Sequence, residues 1–306
     1  MPSSSSAKEE RMTEHGHARL ALERHAEEGD VEAIRLLLVL ARRSENYETQ
    51  RRLALRLALA GGEKLWRNPI DGLEMICIPP GSVSVSMPRR KVTRLELPAF
   101  SMARHPVTNA QFAAFMEATG YRPPREHLHN HRFLSHWEGD SVPDGLAEHP
   151  VVFVSVYDAL QYCEWAGLSL PSATHWEYAA SGDGRPYPWG NAAPSAVLCA
   201  IQGSSTVPVG SFPRTRTAFG CQDMIGNVSD WCWPTKAGVV DGEVEAQRLD
   251  VEAAVRRFER SFAEVRGSNF MRSWTQNASM SCQHGRQLRV ERRNEWVSFR
   301  PVYLPS

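Results

Sequence analysis

Lysine is nearly missing from this chain: only Lys8, Lys64, Lys91 and Lys236 stand among 35 basic residues. Arginine favours planar, bidentate and stacked contacts, but a GC-rich genome accounts for the bias more simply. Net charge is missing too, with 35 basic against 35 acidic residues. A neutral chain has no long-range field to draw nucleic acid or an anionic membrane, so neither partner is expected. Long apolar runs are absent. The best, Ala33 to Ala41, is broken by Arg35 and is far short of the roughly 20 residues a membrane span needs. The N-terminus, Met1-Pro2-Ser3-Ser4-Ser5-Ser6, is polar. No apolar stretch with a small-residue cleavage site follows it, which gives a cytoplasmic expectation. Cys77, Cys163, Cys199, Cys221, Cys232 and Cys282 are scattered, and none forms a C-x-x-C pair. A chain this long needs no disulfide framework, so reduced, buried thiols are expected.

What is present is an ordinary globular composition. With 42% apolar and 9% aromatic residues in 306, the chain is too apolar and evenly charged for disorder. Its length suits one large domain or two unequal ones, burying on the order of 75% of the unfolded surface. Residues 1–14 read as a disordered tail and residues 15–66 as a helical segment. Asp30 caps a helix carrying Val31, Ile34, Leu37, Leu38 and Ala41, and a second helix carries Leu53, Leu57 and Ala60 before Gly61-Gly62. So short a segment needs something to dock on, which makes it a candidate adaptor for a partner protein. Residues 67–306 form the main domain. Leu73 to Ile78 reads as a strand stopped by Pro79-Pro80-Gly81. Val107 to Ala118, Val156 to Ala166 and Ala173 to Ala180 read as helices. Val251 to Val265 also reads as a helix, with Val251, Val255, Phe258 and Phe262 at helical spacing. Short strands and long loops fill the rest, so the expected class is α+β.

Five segments in fixed order carry a family likeness. They are Met102-Ala103-Arg104-His105-Pro106-Val107-Thr108-Asn109, His149-Pro150-Val151-Val152-Phe153-Val154-Ser155, and Leu170-Pro171-Ser172-Ala173-Thr174-His175-Trp176-Glu177-Tyr178 with Tyr187-Pro188-Trp189-Gly190-Asn191. Then come Gly220-Cys221-Gln222-Asp223-Met224-Ile225-Gly226-Asn227-Val228-Ser229-Asp230-Trp231, and Val265-Arg266-Gly267-Ser268 closing with Val297-Ser298-Phe299-Arg300. Together they resemble the formylglycine-generating enzyme, or sulfatase-modifying factor, family across about Asp71 to Val302. The resemblance implies a loop-rich C-type-lectin-like fold. The residues themselves agree: Trp176, Tyr178, Trp189 and Trp231 are large enough to hold such loops together, and Gly190, Gly226 and Gly267 suit tight turns.

The resemblance also implies sites. A calcium ion would sit on the side chain of Asp223, the carbonyls of Gly226 and Val228, and the side chain of Asp230, an oxygen-only set on a turning backbone. Asp230 is shorter than the family's glutamate, and Ala200 stands where a second calcium site has an asparagine. The family's enzymes hold copper on two cysteines shortly after this Arg-Gly segment, as soft thiolates demand. Those positions fall near Met271 and Gln276, so formylglycine generation is not expected. The sulfoxide synthases of ergothioneine biosynthesis share the lectin-like domain but bind iron through a separate helical bundle, whose H-x-x-x-H-x-E motif is not reproduced here. Histidines do cluster at His127, His129 and His131, and imidazoles suit iron or copper.

The segment between Ser268 and Val297 lines the ligand face in this fold. It carries Met271, Arg272, Trp274, Gln276, His284, Arg286, Arg289 and Trp296, a mixture typical of protein recognition hot spots. The same region varies in the retroelement-diversified receptors of this fold, although adenine-directed mutagenesis does not yield Met, Trp, Gln or Glu. The leading expectation is a divergent, lectin-like module that binds a protein or peptide on this face. The alternative is a non-heme iron or copper oxidase using His127, His129, His131 or His284.

Overall fold

In the computed structural model, residues 17–85, 93–123, 130–182, 184–233, 261–273 and 280–305 are described. The chain divides into two compact units, Met1–Pro69 and Ile70–Ser306.

Polar side chains start the helices of the first unit. Helix α1 covers residues 17–27, α2 runs Val31–Arg43 and α3 runs Tyr47–Leu59. Asp30 Oδ1 accepts the amides of Glu32 and Ala33 at 2.9 and 3.1 Å, and Asn46 Oδ1 accepts that of Thr49 at 3.0 Å. Such caps satisfy donors a helix start leaves free. Ala33, Ile34, Leu37, Leu38 and Ala41 of α2 pack with Ala26 and Leu53. Strand β1, Leu65–Arg67, follows the helices.

The second unit mixes short strands with helices and much loop. β2 (Glu74–Ile78) and β10 (Val302–Tyr303) both pair antiparallel with β5 (Phe100–Ala103), so that Met102 faces Ile76 on one side and Val302 on the other. β3 (Gly81–Val85) and β4 (Thr93–Leu97) form a hairpin. The remaining sheet has the order β8–β7–β6–β9, made of Gly285–Arg289, Phe262–Arg266, Ser229–Trp231 and Val297–Ser298. Its β6–β9 pair is parallel.

Helices α4 (Asn109–Thr119), α5 (Val156–Ala166) and α6 (Ala173–Ser181) lie where the periodicity places them. Reciprocal capping boxes begin α4 at Thr108 with Gln111, and α5 at Ser155 with Asp158. Left-handed Gly120 and Gly167 end them. The core gathers Phe100, Met102, Trp176, Ile225 and Val302, with Phe112, Phe115, Tyr162 and Phe299 in mutual ring contact. Trp176 and Trp231 are fully buried, whereas Trp189 is only partly so and stacks on Tyr187.

The expected helix over Val251 to Val265 needs correction. Residues 251–260 lie outside those described, and Phe262–Arg266 is strand β7, held on both edges by β6 and β8. Ala263 and Val265 are buried while Phe262 is exposed, an alternation of period two that the longer helical spacing conceals.

Candidate functional site

The β7–β8 hairpin positions the expected ligand face. Gly267, in the left-handed region at φ 76°, turns the chain out of β7. Two neighbouring loops hold the segment that follows: Phe270 N–H donates to Asn227 O, Gly203 N–H to Phe270 O, and Gln202 N–H to Arg272 O, at 2.8–3.0 Å. Met271, on this pinned backbone, is 55% exposed. On β8, Arg286 lies over the Trp296 ring at 5.5 Å, a cation–π contact. Arg289 lies over Phe262 at 5.6 Å. Residues three apart on a strand point to opposite sides. The expected face is therefore split: Arg286 and Trp296 belong to one side, and Arg289 with Phe262 to the other. Trp274 and Gln276 fall outside the described residues.

Arg266 supports this face from behind. Buried between Glu177 and Glu264, it lies 3.1 Å from Glu177 Oε2 and 2.7 Å from Glu264 Oε1. Its Nη1 also donates to Gln283 O at 3.0 Å, fixing the approach to β8. Burial pushes the Glu177 carboxyl up, against the pull of Arg266. A Cβ at Gly285 would meet the Glu264 carboxylate, whose side chain would have to move aside. His284 is held below its ordinary value by burial and by the cations Arg272 and Arg266. A positive field of that kind opposes cation ligation.

The loop expected to hold calcium is built around a different cation. Asp230 Oδ2 accepts from Trp176 Nε1 at 2.8 Å and from Arg300 Nε at 2.7 Å. Arg300 is fully buried and also donates to the carbonyls of Arg104, Gln222 and Asp223 at 2.9–3.2 Å. Asp223 Oδ2 accepts from Gly210 N–H at 2.6 Å. Asn227 pairs with the Val207 backbone through both its amide groups. Gly226 and Val228 are packed in the same turn, and a Cβ on Gly226 would stand 2.8 Å from Cys199 Cβ. One oxygen of each expected carboxylate ligand is thus engaged, and Asp230 neutralises a guanidinium, while Asp230 Oδ1 is buried without a hydrogen-bond partner. The role of Arg300 was missed in the sequence. Its only signal there was an arginine set in the otherwise apolar Phe299-Arg300-Pro301-Val302 run.

The six cysteines are all buried and free. Cys282, the thiol nearest in sequence to the copper positions, is pushed up to about 12, first by burial, so it is not a poised thiolate. His127 and His129 fall outside the described residues. His131 is exposed on the turn Asn130–Arg132, and Arg132 beside it pairs with Glu295 at 3.1 Å. That ion pair brings the histidine-bearing turn to the border of the Trp296 segment. Among the described residues, no group of three or more His, Cys, Asp or Glu is placed to hold a metal ion.

Two other histidines are neutral, His175 buried and His136 half-buried. His136 Nε2 meets Asn109 Oδ1 at 2.9 Å, an oxygen that also accepts from Trp137 Nε1, while its Nδ1 is buried without a partner. His175 Nδ1 meets Ser172 Oγ at 2.8 Å. Burial lowers both side chains to about 4. These are bases with depressed folded-state values, so the stability tied to their neutrality is whole above about pH 6.5 and drains as pH falls toward 4. For His175, 2% exposed, the limit is about 3 kcal/mol. Urea unfolding from pH 7 to 4 should show this decline, and His175→Gln should flatten it. An unchanged slope in that variant overturns the assignment.

Comparison with known proteins places these features in context. A family model described as sulfatase-modifying factor enzyme 1-like domain matches residues 64–303. A hercynine oxygenase of Mycolicibacterium thermoresistibile is 35% identical over 163 residues, covering 45% of this chain and 36% of that protein. The formylglycine-generating enzyme of Mycobacterium tuberculosis is 32% identical over 219 residues, covering 52% of this chain and 73% of that protein. The chain thus spans little more than a third of the hercynine oxygenase. Among solved structures, PvdO from Pseudomonas aeruginosa matches with a TM-score of 0.58 at 21% identity, covering 78% of this chain and 97% of that one. Treponema denticola variable protein 1 matches with a TM-score of 0.54 at 17% identity, covering 79% and 99%. At such identities these two matches speak to the fold alone.

Proposed function

The chain belongs to the sulfatase-modifying factor enzyme 1-like family, and on that footing we propose that it is a binding module for a protein or peptide, not a formylglycine-generating oxidase. The observation that carries this reading is the Arg286 guanidinium laid over Trp296, with Met271 exposed on a backbone pinned by two neighbouring loops, near a position where a copper-binding member would present a thiolate. Cys282, the neighbouring thiol, is buried and protonated, which leaves the described part of this region without a thiolate ligand. Arg286 braced on Trp296 is a preorganised anchor, since a stacked guanidinium loses little freedom when a ligand carboxylate arrives. Neither Arg272 nor Arg286 has a carboxylate partner among the described residues. This supports a ligand that supplies acidic groups next to an apolar contact for Met271.

A random peptide library displayed on phage and panned on the purified chain tests the reading. Acidic sequences should be enriched, and Arg286→Ala should weaken their binding by more than about tenfold. Failure to enrich any sequence, or binding indifferent to Arg286, overturns it.

One finding favours a second reading, a metal-dependent oxidase: the relatives include proteins named hercynine oxygenase and formylglycine-generating enzyme. The ligands of iron or copper are then drawn from His127, His129, His131 and His284. Metal analysis after loading with Fe(II) or Cu(I) separates the two. A stoichiometric ion lost on replacing those histidines favours the oxidase.

A further inference from the structure

The N-terminal unit keeps an apolar seam that its own core does not use. Helix α2 turns Ala33, Ile34, Leu37, Leu38 and Ala41 inward. Leu36, Val39 and Leu40 point away from that core and are 52%, 45% and 43% exposed. Scattered exposed apolar residues are unremarkable, but these form one contiguous strip. Glu32, Leu36, Val39 and Arg43 follow one another at intervals of four, three and four residues, the a/d repeat of a coiled-coil seam. At 100° per residue they fall within an arc of about 60°. The two apolar members are central, and the two charges, of opposite sign, are at the ends.

We propose that two copies of this chain pair through α2, antiparallel, about a twofold axis passing between Leu37 and Leu38. Reversing the helix about that midpoint exchanges Leu36 with Val39 and Glu32 with Arg43. Leu36 of one copy therefore meets Val39 of the second copy, and each Glu32 meets an Arg43. The strip is its own complement, which is what an isologous twofold contact requires. A parallel arrangement brings like charges together at both ends, and that opposes it. The same reversal exchanges Leu40 with Arg35. Leu40 borders a groove of about 590 Å³, so the apolar stem of Arg35 from the second copy packs on Leu40. In the single chain Arg35 pairs with Glu32 at 2.6 Å in solvent, a weak exposed contact that exchanges readily.

The seam is only about three turns long. It buries less than the roughly 1,200 Å² of a standard stable interface, so the association is weak and depends on concentration.

The test is sedimentation equilibrium of the full chain from about 5 to 500 µM, spanning the range in which a contact of this size associates. The mass should rise from 34.3 kDa toward twice that value. Leu36→Glu should keep the chain monomeric throughout. Glu32→Arg and Arg43→Glu should each weaken pairing severalfold, and the double variant Glu32→Arg/Arg43→Glu should restore it, because each charge then again meets its opposite. A monomer at every concentration overturns the proposal. So does a dimer indifferent to Leu36→Glu, or a double reversal that does not recover. All of these substitutions lie at exposed positions, and helical content by circular dichroism should be unchanged.

Discussion

Arg300→Met is expected to lower the stability of the second unit by about 3–5 kcal/mol. The reason is electrostatic. Arg300 and Asp230 are buried to 0% and 1% exposure, and their ion pair at 2.7 Å is the main charge compensation the structure shows for either partner. Removing the guanidinium leaves an ionised carboxylate in the core, with only the Trp176 indole N–H directed at it. It also strands the carbonyls of Arg104, Gln222 and Asp223, each of which loses a charge-assisted donor. Arg300→Lys should recover little, because a compact ammonium cannot fork across so many acceptors. The double variant Asp230→Asn/Arg300→Met should recover part of the loss, since no ionised carboxylate then remains inside. Urea denaturation read by fluorescence measures all three. A loss below about 1 kcal/mol for Arg300→Met, the scale of an exposed pair, contradicts the assignment.

Arg293→Ala should be of the same order, about 3–5 kcal/mol, with a functional consequence Arg300 lacks. Arg293 and Asp158 are both 0% exposed. Their contact is bidentate, Nε to Oδ2 at 2.8 Å and Nη2 to Oδ1 at 2.9 Å, and the guanidinium lies over Phe133 at 5.5 Å. The same carboxylate accepts the Tyr121 hydroxyl at 2.8 Å and the Ser155 amide and hydroxyl at 2.6 and 2.7 Å. Burial, reinforced by Asp158, keeps the Tyr121 hydroxyl protonated far beyond its ordinary range. One carboxylate thus closes the capping box of α5 and anchors Arg293.

Arg293 directly precedes the segment that displays Trp296. Beyond it, Asn294 O accepts from Phe153 N–H at 3.0 Å, and Glu295 pairs with Arg132. Without Arg293 the stretch 294–296 loses its buried neighbour and keeps these ties together with the Ser229 N–H to Trp296 O hydrogen bond at 2.9 Å. Hydrogen–deuterium exchange there should accelerate, and affinity for any peptide selected on the Arg286–Trp296 face should fall. Arg293→Lys should restore less than half of the stability, because the bidentate fork is lost. Wild-type exchange over 294–296 in Arg293→Ala contradicts the positioning role.

Much of the scaffold was legible in the sequence, because its causes are local. Thr108 with Gln111, and Ser155 with Asp158, announce the starts of α4 and α5 within four residues. Apolar spacing marks the buried stripe of α2. Motif order over some 240 positions was enough to reach the family that the comparison then matched over residues 64–303. The absent thiol pair was equally plain, as it needs only a count and a register.

What the sequence alone did not decide depends on residues far apart in the chain. β7 is a strand because β6 and β8 close on it from either edge, and that pairing decides Phe262 to Val265, which the helical spacing had placed in a helix. Arg286 and Arg289 look like one patch when read along the chain, yet strand geometry sends them to opposite sides, where Trp296 and Phe262 receive them. Asp230 looked like a ligand for a bound cation, and the fold had already given it one in Arg300, 70 positions away. Local sequence determines caps, helices and turns because short-range hydrogen bonds and sterics set them. The partner of a buried charge, or the side a strand presents, is decided only when distant segments exclude water together and every buried polar group must find its counterpart.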